Sequence, residues 1–143
     1  MTYSIHLTQD WPFERIAKYA DNITKAILRI RDKFPDDVDI DLLAKEIATG
    51  KRQLWIILDE KEQFAAFVTT EIEITKLGNK RVLLLELAGK GGAFLADMIV
   101  PIENWAKSIG ATEICPYGRI GWLKRLKKHG FKPDVIKYKK ELI

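Results

Sequence analysis

Between residues 52 and 88 the sequence switches from a helical to an alternating period, and this switch limits the fold more than any other feature. RQLWIILD (52–59) and QFAAFVTTEIEIT (63–75) are rich in β-branched and aromatic residues. The second sets Val68, Thr70, Ile72 and Ile74 against Thr69, Glu71 and Glu73. A period of two marks a strand, whose side chains leave alternate faces. DEKE separates the two runs and KLGNK follows the second, each suited to a hairpin turn. RVLLLELA (81–88) is apolar without alternation, as in a strand covered on both faces. A three-strand meander is therefore expected, and its apolar last strand asks for cover from both sides.

The flanking segments supply that cover. Asp10 as a capping acid, Pro12 in the first turn and Trp11 ahead of Phe13 mark a helix start. Phe13, Ile16, Ala20, Ile23, Ile27, Ile30 and Phe34 then follow at steps of three and four, which puts them on one face of a long helix. Pro35 ends it, and a bend is expected near Asp21-Asn22. A second helix is predicted over Ile40 to Thr49, with Leu42, Leu43 and Ile47 apolar and Gly50 as its stop. After AGKGGA (88–93), residues Phe94, Leu95, Met98, Ile102, Trp105, Ala106 and Ile109 form a helical stripe ending at Gly110. Pro101 predicts a kink or break near Val100. ATEICPYG reads as a short strand, RIGWLKRLKKHG as a helix and FKPDVIKYKKELI as a final strand, with a further strand at Ser4 to Leu7. With 143 residues, the chain has the size of one domain spanning 1–143.

No apolar run reaches the roughly 18 residues of a membrane span, and MTYSIHLTQDWPFER lacks the layout of a signal peptide, so a cytoplasmic protein is expected. Cys115 is the single cysteine, and His6 and His129 stand far apart, which argues against a disulfide or a structural metal. Cys115 reads as an inert buried thiol and His129 as a cation at a helix C-terminus. The net charge of +4 is concentrated late. Residues 119–143 hold nine Lys/Arg against two Asp/Glu, leaving 15 against 18 in the rest. Lys124, Arg125, Lys127 and Lys128 flank Ile120, Leu123 and Leu126, the pattern of a helix with a solvated face. A nucleic-acid surface would need Lys132, Lys137, Lys139 and Lys140 joined to that face, with Trp122 or Tyr138 for stacking. No recognition motif accompanies them, and this reading ranks last.

Glu86-Leu87 leads into Ala88-Gly89-Lys90-Gly91-Gly92-Ala93, a strand running into a glycine-rich turn that opens a helix. Unpaired N–H groups at such a helix start attract anions, and missing side chains let the backbone approach them. The stretch resembles the pyrophosphate turn Arg/Gln-x-x-Gly-x-Gly/Ala of the GNAT superfamily of N-acetyltransferases, with Gly91 and Ala93 in matching places and Ala88 in place of Arg or Gln. Gly130-Phe131 resembles the end of that family's last helix. Arg119, Trp122 and Leu126 stand where the family has Asn, a small residue and Tyr. The order of elements over roughly residues 40–143 is also similar to the GNAT-like proteins of tailed bacteriophages, which keep the scaffold and the Gly-Phe ending.

The resemblance implies an α/β GNAT-like fold, a mixed twisted central sheet with helices on both faces. It implies acetyl-CoA as cofactor, cradled by Gly89, Lys90, Gly91, Gly92 and Ala93, and an amine as acceptor. Acyl transfer needs a base for the amine and an acid for the leaving thiolate. Glu86, among apolar neighbours in LLLEL, is the candidate base, a desolvated carboxylate with a raised pKa. Glu71 and Glu73 are held in reserve. Leu126 has no proton to give, so Tyr117 at the end of EICPY is the candidate acid. Three functions stay open: an acyl-CoA-dependent N-acetyltransferase, a catalytically inactive GNAT-like protein acting by protein contact in a virion or on a host factor, and a basic nucleic-acid module.

Overall fold

The alternating stretch forms the middle of one sheet. The structure, a computed structural model, describes residues 2–90, 92–118 and 122–143. The strands are β1 (Ser4–Leu7), β2 (Arg52–Leu58), β3 (Phe64–Ile74), β4 (Lys80–Gly89) and β5 (Glu113–Pro116), arranged across the sheet in that order. Neighbours are antiparallel except β4 and β5, which run parallel. Side chains fasten both hairpin turns. Asp59 accepts hydrogen bonds from the N–H groups of Lys61 (2.8 Å) and Gln63 (3.0 Å), and the Thr75 hydroxyl accepts one from Asn79 (3.0 Å). A parallel pair requires a crossover. Here a 3-10 helix (Gly92–Met98) leads straight into a helix over Ile99–Ser108.

Ahead of β2 stand α1 (Phe13–Ala17), α2 (Ala20–Lys33) and α3 (Ile40–Thr49); the crossover helix Ile99–Ser108 is α4, and α5 covers Leu123–Lys128. The single long helix expected from the apolar spacing is broken at Lys18–Tyr19, before the anticipated bend at Asp21-Asn22. Tyr19 turns inward there, is buried, and donates its hydroxyl to the carbonyl of Glu62 at 2.9 Å. The break also swings α1 outward, so Phe13, assigned by periodicity to the core face, is 78% exposed. α3 follows its sequence signals more closely. Asp39 caps it by accepting from the Leu42 N–H at 3.1 Å, and Gly50 ends it with φ +82°.

Alternation then divides the core between the two faces. Leu54, Ile56, Leu58 and Phe67 pack with Tyr19, Ile23, Ile27 and Leu43 on the α2/α3 side. Trp55, Ile57, Ala66 and Val68 pack with Leu95 and Ile102 on the other, where Trp105 meets Trp55 edge-on at 5.4 Å. Burying a large aliphatic or aromatic side chain contributes about 1.5–3 kcal/mol, so these two layers dominate the folding energy. Helices cover both faces. Among the described residues, no helix is long and apolar enough to cross a membrane.

One local expectation is met and three are corrected. The helical break expected near Val100 is present, where the 3-10 helix becomes α4 at Met98–Ile99; Pro101 is the third residue of α4, where an N–H has no intrahelical acceptor to lose. Thr69, placed on the polar side of β3, is fully buried, whereas Ile72 and Ile74 are exposed. The reason is that the β3–β4 hairpin runs on past the last β2 pair, Arg52↔Glu71, and leaves the helical layers behind. Leu42, counted with the apolar stripe of α3, faces solvent. FKPDVIKYKKELI is not a strand: among the described residues, 132–143 make no backbone hydrogen bond, and strand propensity without an edge to pair with builds no ladder.

Where β4 ends, it presses against β3. Gly89 has φ +148°, and a Cβ there would overlap the Ala65 carbonyl and lie 2.5 Å from the Ala66 Cα. The replacement Gly89→Ala combines a forbidden backbone angle with a clash against fixed backbone. It is expected to cost about 2 kcal/mol or more, read as a lower urea midpoint at unchanged m-value. A second expectation concerns acid. Burial, and then the Arg15 guanidinium, hold the His6 imidazole below its ordinary value, with Glu62 opposing. The unfolded chain therefore binds this proton more readily, so His6 contributes stability that is present above about pH 6.5 and is lost as pH falls through its folded value. The melting temperature should drop between pH 7 and 5, and His6→Gln should shrink that drop.

Candidate active site

Parallel pairing between β4 and β5 covers only Arg81↔Glu113 to Leu84↔Pro116, and its last link is the Tyr117 N–H donating to the Leu84 carbonyl at 2.9 Å. From Leu85 to Gly89, β4 continues along β3 with no β5 residue opposite. The two strands fork. Just at the fork, the β3–β4 register shifts: Thr70 faces Leu84 and Thr69 faces Glu86, which leaves Leu85 as the extra residue of a bulge. The bulge re-aims Glu86. Its N–H donates to the Thr69 hydroxyl oxygen at 3.2 Å, and that hydroxyl in turn donates to the Glu86 carboxylate.

Arg52, at the start of β2, completes the hold. Its Nη1 lies 2.8 Å from Oε1 and 3.0 Å from Oε2 of Glu86, and its Nη2 is 3.3 Å from Oε2 of Glu46 on α3. All three side chains are mostly buried, so the two carboxylates share one guanidinium in a poorly solvated place. Next to them lies a cavity of about 120 Å³ between α3, the segment leading into it and the sheet. Asp37, Asp39, Glu46 and Glu86 line it with Arg52, four carboxylates against one guanidinium. Such a lining favours a cationic guest.

The two residues expected to be catalytic stand on the two strands that part at the fork. Glu86 sits on β4 two residues past Leu84, and Tyr117, bonded to Leu84 through its N–H, is 67% exposed at the end of β5. The glycine-rich turn is only partly described. The N–H of Lys90 donates to the Ala65 carbonyl at 2.8 Å and is thereby occupied, while its side chain is exposed. Gly91 lies outside the described residues; Gly92 and Ala93 open the 3-10 helix. The lack of a side chain at Gly89 has a cause within the sheet, the close approach of β3.

Other singled-out residues fall elsewhere. His129 Nε2 is 3.1 Å from Asp97 Oδ1, and Arg125 Nη1 is 3.5 Å from Asp97 Oδ2, so both tie α5 to the 3-10 helix. Arg125, one of the basic residues of that helix, is thus paired with Asp97. Burial pushes the Cys115 thiol up, and Glu113 adds to it, so the sulfur stays protonated and a poor nucleophile. Glu71 and Glu73, the reserve bases, pair with Lys51 (4.0 Å) and Arg81 (3.0 Å) away from the fork. Among the described residues, no three His, Cys, Asp or Glu side chains gather as metal ligands. Arg52, Glu46 and Thr69 were missed in the sequence, where they stand far from Glu86.

Solved structures of acetyltransferases share this architecture over nearly the whole chain. The glucosamine-6-phosphate N-acetyltransferase of Arabidopsis thaliana aligns over 100% of both chains, with 14% identity and a TM-score of 0.69. A Trypanosoma brucei acetyltransferase aligns over 99% of this chain and 100% of its own, with 10% identity and a TM-score of 0.68. The fold is the GNAT fold. An aminoglycoside acetyltransferase from an uncultured soil metagenomic sample carries it too, at 8% identity and a TM-score of 0.67 over 100% of both chains. At such identities the likeness concerns the fold alone. No protein-family profile matches the sequence, and no curated protein does at a significant level.

Within this GNAT fold the Glu46–Arg52–Glu86 group has a testable energetic signature. Arg52→Ala leaves two poorly solvated carboxylates facing each other without a cation, whereas a balanced triad contributes little net stability. The replacement should cost about 3 kcal/mol in denaturant titrations. The companion Glu46→Gln, which keeps Arg52 on Glu86, should cost less than half of that.

Proposed function

We propose that the protein is an acyl-CoA-dependent N-acetyltransferase acting on a primary amine. One observation carries the reading: β4 and β5 part at Leu84, and the Glu86 carboxylate is fixed at that parting beside an acid-lined cavity. Acetyl-CoA supplies a thioester carbonyl. The residues present fit such a cofactor in two respects and fall short in a third. The stretch of β4 beyond Leu84 has no β5 neighbour to use its outer backbone groups, and the exposed Lys90 ammonium suits a phosphate. The Lys90 N–H, already given to Ala65, is unavailable for the cradle role implied by the family turn.

In this reading the cavity beside Glu86 draws in the amine as its ammonium form, which releases one proton to bulk water, and the Glu86 carboxylate takes the second proton, which the nitrogen loses as it attacks. Arg52 and Thr69 keep that carboxylate in one orientation while its exposed side faces the cavity. Tyr117 would be the residue to supply a proton to the leaving sulfur of the thioester. The proton taken by Glu86 matches the one given up by Tyr117, both residues are reset by exchange with water, and the ammonium's first proton is the one net proton released. A second reading has one observation in its favour. Arg52 and Thr69 already engage both Glu86 oxygens, as they would in a domain that has given up catalysis and works by protein contact.

Titrating acetyl-CoA into the protein by calorimetry separates the two. The first reading expects saturable binding at micromolar to sub-millimolar concentration, weakened about tenfold or more by Lys90→Glu. It also expects Glu86→Gln to lower kcat about a hundredfold or more with acetyl-CoA affinity nearly unchanged. No binding at millimolar ligand, together with a stable protein partner in a pull-down, would establish the second reading instead.

A further inference from the structure

Arg52 uses only part of its guanidinium. Nη1 alone serves Glu86, donating to Oε1 at 2.8 Å and to Oε2 at 3.0 Å. Nη2 stands 3.3 Å from Oε2 of Glu46, a charge contact without the alignment of a hydrogen bond. Glu46 Oε2 and Arg52 Nε are both buried, and neither has a hydrogen-bond partner among the described residues. Buried donors and acceptors are ordinarily paired. Along the edge formed by Nε and Nη2 a guanidinium offers two parallel N–H groups, the fork that matches a carboxylate. An unused donor fork and an unused acceptor thus lie side by side.

The two oxygens of Glu86 are held unequally. Oε2 also accepts from the Thr69 hydroxyl, whereas Arg52 is the one partner of Oε1 among the described residues. Glu46, Arg52 and Glu86 together carry one net negative charge, and the cavity of about 120 Å³ beside them adds the exposed Asp37 and Asp39. One ammonium neutralises the trio. A water-sized group takes roughly 30 Å³, so an ammonium head on a short unbranched stem fits. Two cations at Oε1 would repel each other, and an entering ammonium therefore needs Arg52 to give way.

We propose that Glu46 is a positioning residue for acyl transfer, the carboxylate to which Arg52 is handed when the amine arrives. Arg52 turns from Glu86, closes its Nε and Nη2 fork on Glu46, and leaves Oε1 of Glu86 to the incoming nitrogen. Thr69 keeps Oε2, so the base holds its aim. One shared cation becomes two separate ion pairs, and the buried Nε and Oε2 gain partners in the same movement. The engaged Glu86 of the free protein is then the resting state of a base. This inference rests on the acyl-transfer reading for its catalytic meaning.

Nitrogen-15 NMR of the full chain can follow the Arg52 Nε–H while ethylammonium chloride is added at constant ionic strength. At saturation that proton should exchange with water about tenfold more slowly than in the free protein, because it has gained an acceptor. Glu46→Met, similar in size and without an oxygen to accept, should raise the Kd of ethylammonium about tenfold and abolish the slowing. Asp37→Asn removes the same charge from the same cavity and should keep the slowing at saturation. With acetyl-CoA and ethylamine, Glu46→Met should raise KM for the amine about tenfold and leave KM for acetyl-CoA nearly unchanged. Saturation with Arg52 exchange unaltered, slowing that survives Glu46→Met, or no saturable binding of ethylammonium would each overturn the hand-over. Slowed Arg52 exchange without acetylation of ethylamine would uphold the hand-over and count against the acyl-transfer reading instead.

Discussion

One extra residue in β4 organises everything around it. Without the bulge at Leu85, the alternation of β4 would carry through unbroken, and the residue opposite Thr69 would meet it through the regular ladder. With it, the Glu86 N–H turns to the Thr69 hydroxyl, the carboxylate comes under Arg52, and β4 leaves the direction of β5 immediately beyond Leu84. A slip of one residue in a strand exchanges its two faces. The bulge confines that exchange to one end of β4, so the apolar pairing farther back is preserved. The buried triad is thus a product of strand geometry as much as of charge.

The larger architecture was legible because it rests on period. Residues 52–75 alternate, 81–88 do not, and the stretches beside them repeat at three and four; layers and order follow from these patterns. What escaped has common physical causes. Tyr19 broke a helix through a hydroxyl contact to Glu62, 43 positions away, which no local pattern announces. Phe13, Ile72 and Ile74 obey the apolar period and are exposed, since a period assigns a face but cannot say whether a neighbour covers it. FKPDVIKYKKELI has strand composition, yet a ladder is a property of two segments.

The candidate site divides in the same way. Glu86 stood out because it is a carboxylate set among apolar neighbours, where desolvation suits a base. Its partners did not, since Arg52 and Thr69 lie 34 and 17 positions away and look like an edge residue and a strand filler. Tyr117 was placed at the fork by the order of elements alone. Gly89 shows how a motif can mislead about cause: a glycine in a phosphate-type turn is also what β3 requires at that point. Resemblance in fold to acetyltransferases fixes the scaffold, while function depends on the few side chains hung upon it.

Asp97 has a reach beyond its own contacts. By engaging His129 and Arg125, it braces the last helix directly against the element that follows the glycine-rich turn. The tie is made by side chains alone, outside the hydrogen-bonded sheet. The glycine-rich turn and the C-terminal segment are thus each one element away from the same carboxylate.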